Sequence, residues 1–173
     1  MIGFFTTTQS GLADRLMADL ADRLLAEGRP VLGMVRAEMP VDAPKQGPEQ
    51  GMCEMYLRLL PEGRIHGITQ DLGPGAEGCT LDAGALEEAV MAVGQGLEGA
   101  APETLVLFNK FGKQEAEGRG CRDLIAEAVA RGHRVLISAP PQTRAEFLAF
   151  AGEYATELPP EPGALAAFAF ANL

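Results

Sequence analysis

"MIGFFTTTQSGLADRLMADLADRLLAEGRPVLGMVR", residues 1–36, decides the fold. The opening "IGFF" is a short apolar run of the kind found in strands buried on both faces. Ser10 then offers an N-cap, and Leu12, Leu16, Leu20 and Leu24 recur every four residues, which predicts one apolar helix stripe. Gly28 follows where a helix ends on a left-handed C′ residue. "RPVLGMVR" is the next strand. The chain therefore opens β-α-β, a unit that closes as a right-handed parallel crossover.

The same alternation continues. Strands are predicted at "TLVLFN" (104–109) and "HRVLISA" (133–139), and a helix from about Ala83 to Glu98 on Leu86, Val90, Val93 and Leu97. Another helix buries Leu124, Ile125, Ala128 and Val129 and stops at Gly132, and a further one is lined by Phe147, Leu148, Phe150, Ala151 and Tyr154. The tail "ALAAFAFANL" reads equally as strand or helix. Between the second strand and the Ala83 helix, "CEMYLRLL" and "RIHGIT" are joined by "PEGR", a β-hairpin pattern. Residues 40–51, with three prolines and two glycines, and "QDLGPGAEG" (70–78) read as loops. The expectation is one three-layer α/β domain over residues 1–173, with a mainly parallel sheet and a hairpin inserted at about 52–70.

Composition narrows the function. A length of 173 residues buries one real core, and 47% hydrophobic with 22% charged residues is ordinary for a globular chain. A formal charge of −10 argues against non-specific binding to nucleic acid or an anionic membrane. No apolar run is long enough for a membrane span, and the start shows no basic segment or cleavage site, so a cytoplasmic location is expected. Cys53, Cys79 and Cys121 form no CxxC pair, and with only His66 and His133 beside them no metal set is predicted. The cysteines read as small buried residues, His66 as a surface or packing residue, His133 as a helix C-terminal contact, and Asp71 and Asp82 as turn formers.

Ligands of open parallel sheets bind beyond the carboxyl ends of the strands. Two segments qualify: "TTTQSG" (6–11) after the first strand, and "NKFGKQEAEGRG" (109–120) after "LVLF", on strands expected to be neighbours. Laid on the phosphate-binding pattern G-x-x-x-x-G-K-[ST], Thr6 and Gly11 take the two glycine places, Leu12 the lysine and Ala13 the hydroxyl. The spacing survives without the lysine or the Mg²⁺ ligand, so no catalytic residue and no competent triphosphate hydrolysis are expected. Thr6, Thr7, Thr8, Ser10 and Gly11 still present hydroxyl and N–H donors to a small anion. Asn109, Lys110, Gly112, Lys113, Glu115 and Arg119 complete the expected site, the cations supplying charge and Glu115 and Glu117 positioning them.

"LFNKFGKQEAEGRGCRDLIAEAVARG", with "LRLLPEGRIHGITQDLGPGAEGCTLDAGALEEAV" upstream, resembles the bacterial domain of unknown function 2478 family, whose genes often lie beside molybdate ABC transporters. The likeness covers nearly the whole chain; Thr80 and Cys121 stand where a basic and an aromatic residue would be expected. More distantly the layout is similar to small P-loop nucleoside triphosphatases, whose D-E-x-G-x-x-E run matches Asn109, Lys110, Gly112 and Glu115 in register, and whose G-F-x-T-x-E stretch is echoed at Gly33 and Glu38. The resemblance implies a P-loop-like protein that binds molybdate, another oxyanion or a phosphate-bearing ligand such as a nucleotide without hydrolysing it. It also implies a protein partner in molybdate transport or molybdoenzyme maturation. An adaptor for a transporter or metalloenzyme, contacting its partner through residues 40–51 and with a homodimer among its forms, and a divergent triphosphatase recruiting Lys110 or Lys113 are the alternatives.

Overall fold

The structure, a computed structural model, describes residues 1–38, 55–70 and 80–171. The loop at 40–51, Cys53, Asp71, Cys79 and most of the glycine-rich segment from Gln70 to Asp82 lie outside the described residues.

In chain order the elements are β1 (Ile2–Phe5), α1 (Leu12–Ala26), β2 (Val31–Ala37), β3 (Tyr56–Leu60), β4 (Ile65–Gly67) and α2 (Ala83–Glu98). There follow β5 (Leu105–Lys110), a one-turn α3 (Lys113–Ala116), α4 (Arg122–Ala130), β6 (Arg134–Ser138), α5 (Arg144–Ala151), β7 (Ala155–Glu157) and α6 (Pro162–Phe170). Among the described residues they build a seven-stranded sheet in the order β4-β3-β2-β5-β6-β1-β7. β2, β5, β6, β1 and β7 run parallel, and β3 is antiparallel to both its neighbours, β2 and β4. The predicted α/β architecture and inserted hairpin are therefore present.

Period-two alternation sends each strand's side chains to two separate cores. Val106 and Phe108 pack with Phe4, Met34, Leu86, Val93, Ile125 and Phe147, under α2, α4 and α5. Leu105 and Leu107 pack with Phe5, Leu16, Leu20, Leu24 and Leu136, under α1 and α6. The leucine stripe of α1 is thus the inner surface of one layer. It ends as expected: Gly28, at φ 65, donates to the Leu25 carbonyl and Arg29 to the Leu24 carbonyl, the paired bonds of a Schellman cap. Arg134 closes α6 differently, its buried guanidinium donating to the carbonyls of Phe168 and Ala169.

Several expectations are corrected. Ser10 does not cap α1: Gly11, at φ 70, occupies the N-cap with no side-chain bond, and its carbonyl accepts the Arg15 N–H. Asp82 is an N-cap, accepting from Ala85 N at 3.0 Å. Tyr154 is 55% exposed on the 3₁₀ turn after α5 rather than on its buried face. His133 is buried, and its backbone N–H, not its imidazole, meets the end of α4; Nδ1 has no hydrogen-bond partner among the described residues. The tail resolves as helix, because Pro162 suits a first turn and Leu165, Phe168 and Ala169 fall on one buried side. Most consequentially, β1 and β5 are not neighbours, for β6 pairs with both.

Gly33 belongs to this frame and not to a ligand motif. It sits inside β2 at φ 128, and a Cβ there would lie 2.0 Å from the Leu107 carbonyl oxygen on β5. Gly33→Ala should therefore strain the backbone and push β2 away from β5, lowering unfolding free energy by roughly 3 kcal/mol or more. Urea unfolding followed by circular dichroism measures this; a loss under about 1 kcal/mol would show that the strands yield there.

Candidate functional site

The carboxyl edge of the sheet is held together by Asn109. Its side chain is 8% exposed. Oδ1 accepts the Arg36 backbone N–H at 2.9 Å, and Nδ2 donates to Asp14 Oδ1 at 2.8 Å. A backbone N–H only donates and a carboxylate only accepts, so the two partners fix which way the amide points. The Asn109 carbonyl accepts the Ser138 hydroxyl at 2.6 Å, and Thr6 donates to the neighbouring Ala139 carbonyl at 2.9 Å. These bonds link β1, β6, β5, β2 and the first turn of α1 along one edge. A register irregularity between Phe108 and Lys110 brings Lys110, not Asn109, opposite Ser138.

Beyond β5 the chain wraps around one carboxylate. Glu115, 5% exposed, accepts Gly112 N–H on Oε2 at 2.8 Å and Cys121 N–H on Oε1 at 3.1 Å, with the Cys121 thiol donating to the same Oε1 at 3.4 Å. The Gly112 bond is the glutamate half of a capping box at the start of α3, a glycine N-cap having no side chain to supply the other half. Gly120 lies so close that a Cβ would stand 2.2 Å from Oε1. Burial first, and the Glu115 carboxylate second, raise the Cys121 thiol well above its ordinary range, so it stays protonated. Arg122 donates to the Glu115 carbonyl at 3.1 Å and lies 4.5 Å above the Phe150 ring. Glu115 therefore organises backbone and does not position cations, contrary to expectation. Glu117 does pair with cations: Arg119 donates to it, and Lys113 Nζ lies 3.8 Å away. Among the described residues, the exposed ammonium of Lys110 has no ion-pair partner.

A cavity of about 270 Å³ opens at this edge. Its apolar side is lined by Met34, Met55, Leu57, Ile68, Leu81, Leu86 and Phe108, drawn from β2, β5, α2 and the hairpin and its flanks. Its polar side carries Asp14, Arg36, Asn109, Lys110, Lys113 and Gln114. Of the sequence-predicted site residues, Asn109, Lys110, Gly112, Lys113 and Glu115 line it. Thr6, Thr7, Thr8, Ser10, Gly11 and Arg119 do not. Thr6 is bonded to Ala139, and Thr7 accepts the Gln9 N–H at 3.1 Å, while Thr8, Ser10 and Gly11 are exposed. Sequence reasoning missed Asp14 and Arg36. An acidic residue in the first turn of the helix after "TTTQSG" was the available signal for Asp14; Arg36 enters only because β2 and β5 are paired.

Residues 2–168 match the model of the family described as "Protein of unknown function (DUF2478)". The chain belongs to that family. The DUF2478 chain is also 37% identical over 147 residues to the "Molybdenum import ATP-binding protein ModC 2" of Bradyrhizobium diazoefficiens. That match takes in 84% of this chain but spans only 15% of the length of that relative. Among solved structures, THEP1 from the hyperthermophile Aquifex aeolicus superposes with a TM-score of 0.65 at 13% identity, covering 98% of this chain and 95% of that one. A human cancer-related nucleoside triphosphatase gives 0.61 at 16% identity, covering 89% and 85%. At these identities the likeness is one of fold: a P-loop-NTPase-like α/β domain. No helix among the described residues is long and apolar enough to cross a membrane.

The closed turn of the DUF2478 chain makes a stability prediction. Glu115→Ala leaves two backbone N–H groups and a thiol unpaired and should cost about 3 kcal/mol, a fall of roughly 6–12 °C in melting temperature. Glu115→Gln keeps one acceptor but turns an NH₂ donor toward the other backbone N–H, so it should lose at least half as much. A loss under about 1 kcal/mol for Glu115→Ala in calorimetric melts would show that the carboxylate is not what closes the turn.

Proposed function

We propose that this protein is a non-hydrolysing, P-loop-like binding protein that takes a small oxyanion of the molybdate type, or a phosphate-bearing ligand, at the carboxyl edge of its sheet and serves molybdenum import or use. The observation that supports this most is Lys110, a cation with no ion-pair partner among the described residues, at the end of a central parallel strand and on the rim of a cavity. In an overall charge of −10, such an isolated ammonium is a local exception that attracts an anion. Lys113, whose ammonium lies 3.8 Å from the Glu117 carboxylate, lines the same cavity, and the exposed donors of Thr8, Ser10 and Gly11 lie beyond β1 on the same edge.

Binding without hydrolysis follows from what stands at the reacting positions. Leu12 and Ala13 occupy the places of the phosphate-loop lysine and hydroxyl, and the end of β5 offers an amide whose hydrogen bonds go to Arg36 and Asp14. An amide so engaged neither coordinates Mg²⁺ nor activates water. The likeness of this chain to a segment of a molybdenum import ATP-binding protein supports the link to molybdenum, with a component of the import system or of molybdoenzyme maturation in the cytoplasm as protein partner.

Thermal melts in molybdate, tungstate, phosphate and nucleotides, each against sulfate at matched ionic strength, test the reading. A ligand at about 100 times its Kd stabilises by roughly 2.7 kcal/mol, which raises the melting temperature by about 5–10 °C in a domain of this size. Lys110→Ala should abolish that rise, and ATP or GTP hydrolysis should not exceed the rate of the same variant. If none of these anions moves the melt beyond sulfate, there is no anion site and the reading fails.

A further inference from the structure

A second concentration of positive charge lies at the opposite, amino edge of the sheet, where β6 begins, α1 has just ended and α6 runs out. Arg134, the first residue of β6, is 8% exposed, and its guanidinium donates to the carbonyls of Phe168 and Ala169 at 2.5 and 3.2 Å. Arg29 follows the end of α1. Its backbone N–H is held by the Leu24 carbonyl at 2.9 Å, and its guanidinium carbon lies 5.5 Å from the centre of the Phe170 ring. Arg23, from the last turns of α1, stands over the same ring at 4.7 Å. Three guanidiniums therefore meet at the final turn of one helix.

Only one of them is neutralised. Arg23 pairs with Glu27 at 2.8 Å, whereas Arg29 and Arg134 have no ion-pair partner among the described residues. Burial first, and the Arg29 charge second, hold the Arg134 pKa below its ordinary value, so the two cations are near enough to repel. A helix C-terminus carries roughly half a negative charge, which offsets only part of two guanidiniums. A buried cation without a counter-ion is costly, and a second cation beside it adds to that cost. We propose that Arg29 and Arg134 form a second anion site, separate from Lys110, that takes a tetrahedral dianion such as free phosphate or the phosphate of a monoester. Lys110 lies opposite Ser138, four residues along β6 from Arg134, so the two strand positions are about 13 Å apart. A guanidinium has five N–H donors, and the two bonds that Arg134 gives to α6 leave others for the ligand. Arg29, half-buried and stacked on Phe170, reaches the same place from the solvent side, its planar fork suited to two phosphate oxygens.

Two-dimensional NMR titration of the chain carrying Lys110→Ala, which silences the carboxyl edge, tests this with phosphate, sulfate, glycerol phosphate and acetate at fixed pH and ionic strength. Saturable shifts should centre on the amides of Arg29, Arg134 and Phe170. Phosphate and sulfate should bind about fivefold or more tightly than acetate, because two guanidiniums favour a double charge. Sulfate acts here as phosphate does, so this site adds nothing to melting differences measured against sulfate. Whether phosphate or glycerol phosphate binds better tells a free ion from an ester, and either supports the site. Arg29→Gln should weaken phosphate by roughly tenfold, the worth of one charge-assisted hydrogen bond. Arg29→Lys, which keeps the charge without the fork, should weaken it less and serves in its place if Arg29→Gln is misfolded. Acetate bound as tightly as phosphate, shifts spread over the whole surface, or a phosphate affinity that neither Arg29 variant alters would overturn the proposal.

Discussion

One side-chain amide, that of Asn109, sets the geometry of the carboxyl edge of the sheet. It is the point where a central strand, β5, is tied to the end of β2 and to the first turn of α1. A side chain here with only acceptors would meet the Asp14 carboxylate with like charge, and one with only donors would leave the Arg36 N–H unanswered. Asparagine satisfies both at once. The consequence is that the polar residue ending this apolar strand is spent on holding elements together.

The neighbouring bonds extend that tie. β6 intervenes between β1 and β5, so the loop after β1 does not touch the turn after β5 directly; Ser138 and Ala139 relay the connection through their bonds to Asn109 and Thr6. On the far side, Glu115 folds residues 112–121 around its own carboxylate and links them, through Gly120 and Glu87, to α2. Lys110 is left between two rigid devices, unpaired among the described residues and facing a cavity. Preorganisation of this kind reduces the ordering cost of binding.

Much of the frame could be read from the sequence, since it depends on local chemistry. The four-residue leucine spacing, Gly28, and the "PEGR" turn each act within a few residues, and α1, its cap and the hairpin follow. Strand order does not act locally. Nothing in the alternation of "HRVLISA" says that it inserts between β1 and β5, and the three residues of β7 are too few to show a period. The site divides in the same way. Asn109, Lys110 and Lys113 stand out as polar residues ending an apolar strand, whereas Glu115 in a run of charges reads as an ion-pair partner. Its true partners are backbone N–H groups, which carry no sequence mark. The apolar walls carried no mark of their own, because Leu57, Ile68 and Leu86 are also members of the core under α2.

The central claim is that the Asn109–Asp14 bond is a working constraint and not an incidental contact. A double-mutant cycle of Asn109→Ala and Asp14→Ala, measured by urea unfolding at constant pH, isolates it from the other bonds of each residue. A part-buried hydrogen bond to a charged group predicts a coupling of about 1.5–3 kcal/mol. Additivity within roughly 0.5 kcal/mol would show that the two side chains act independently and would contradict the account.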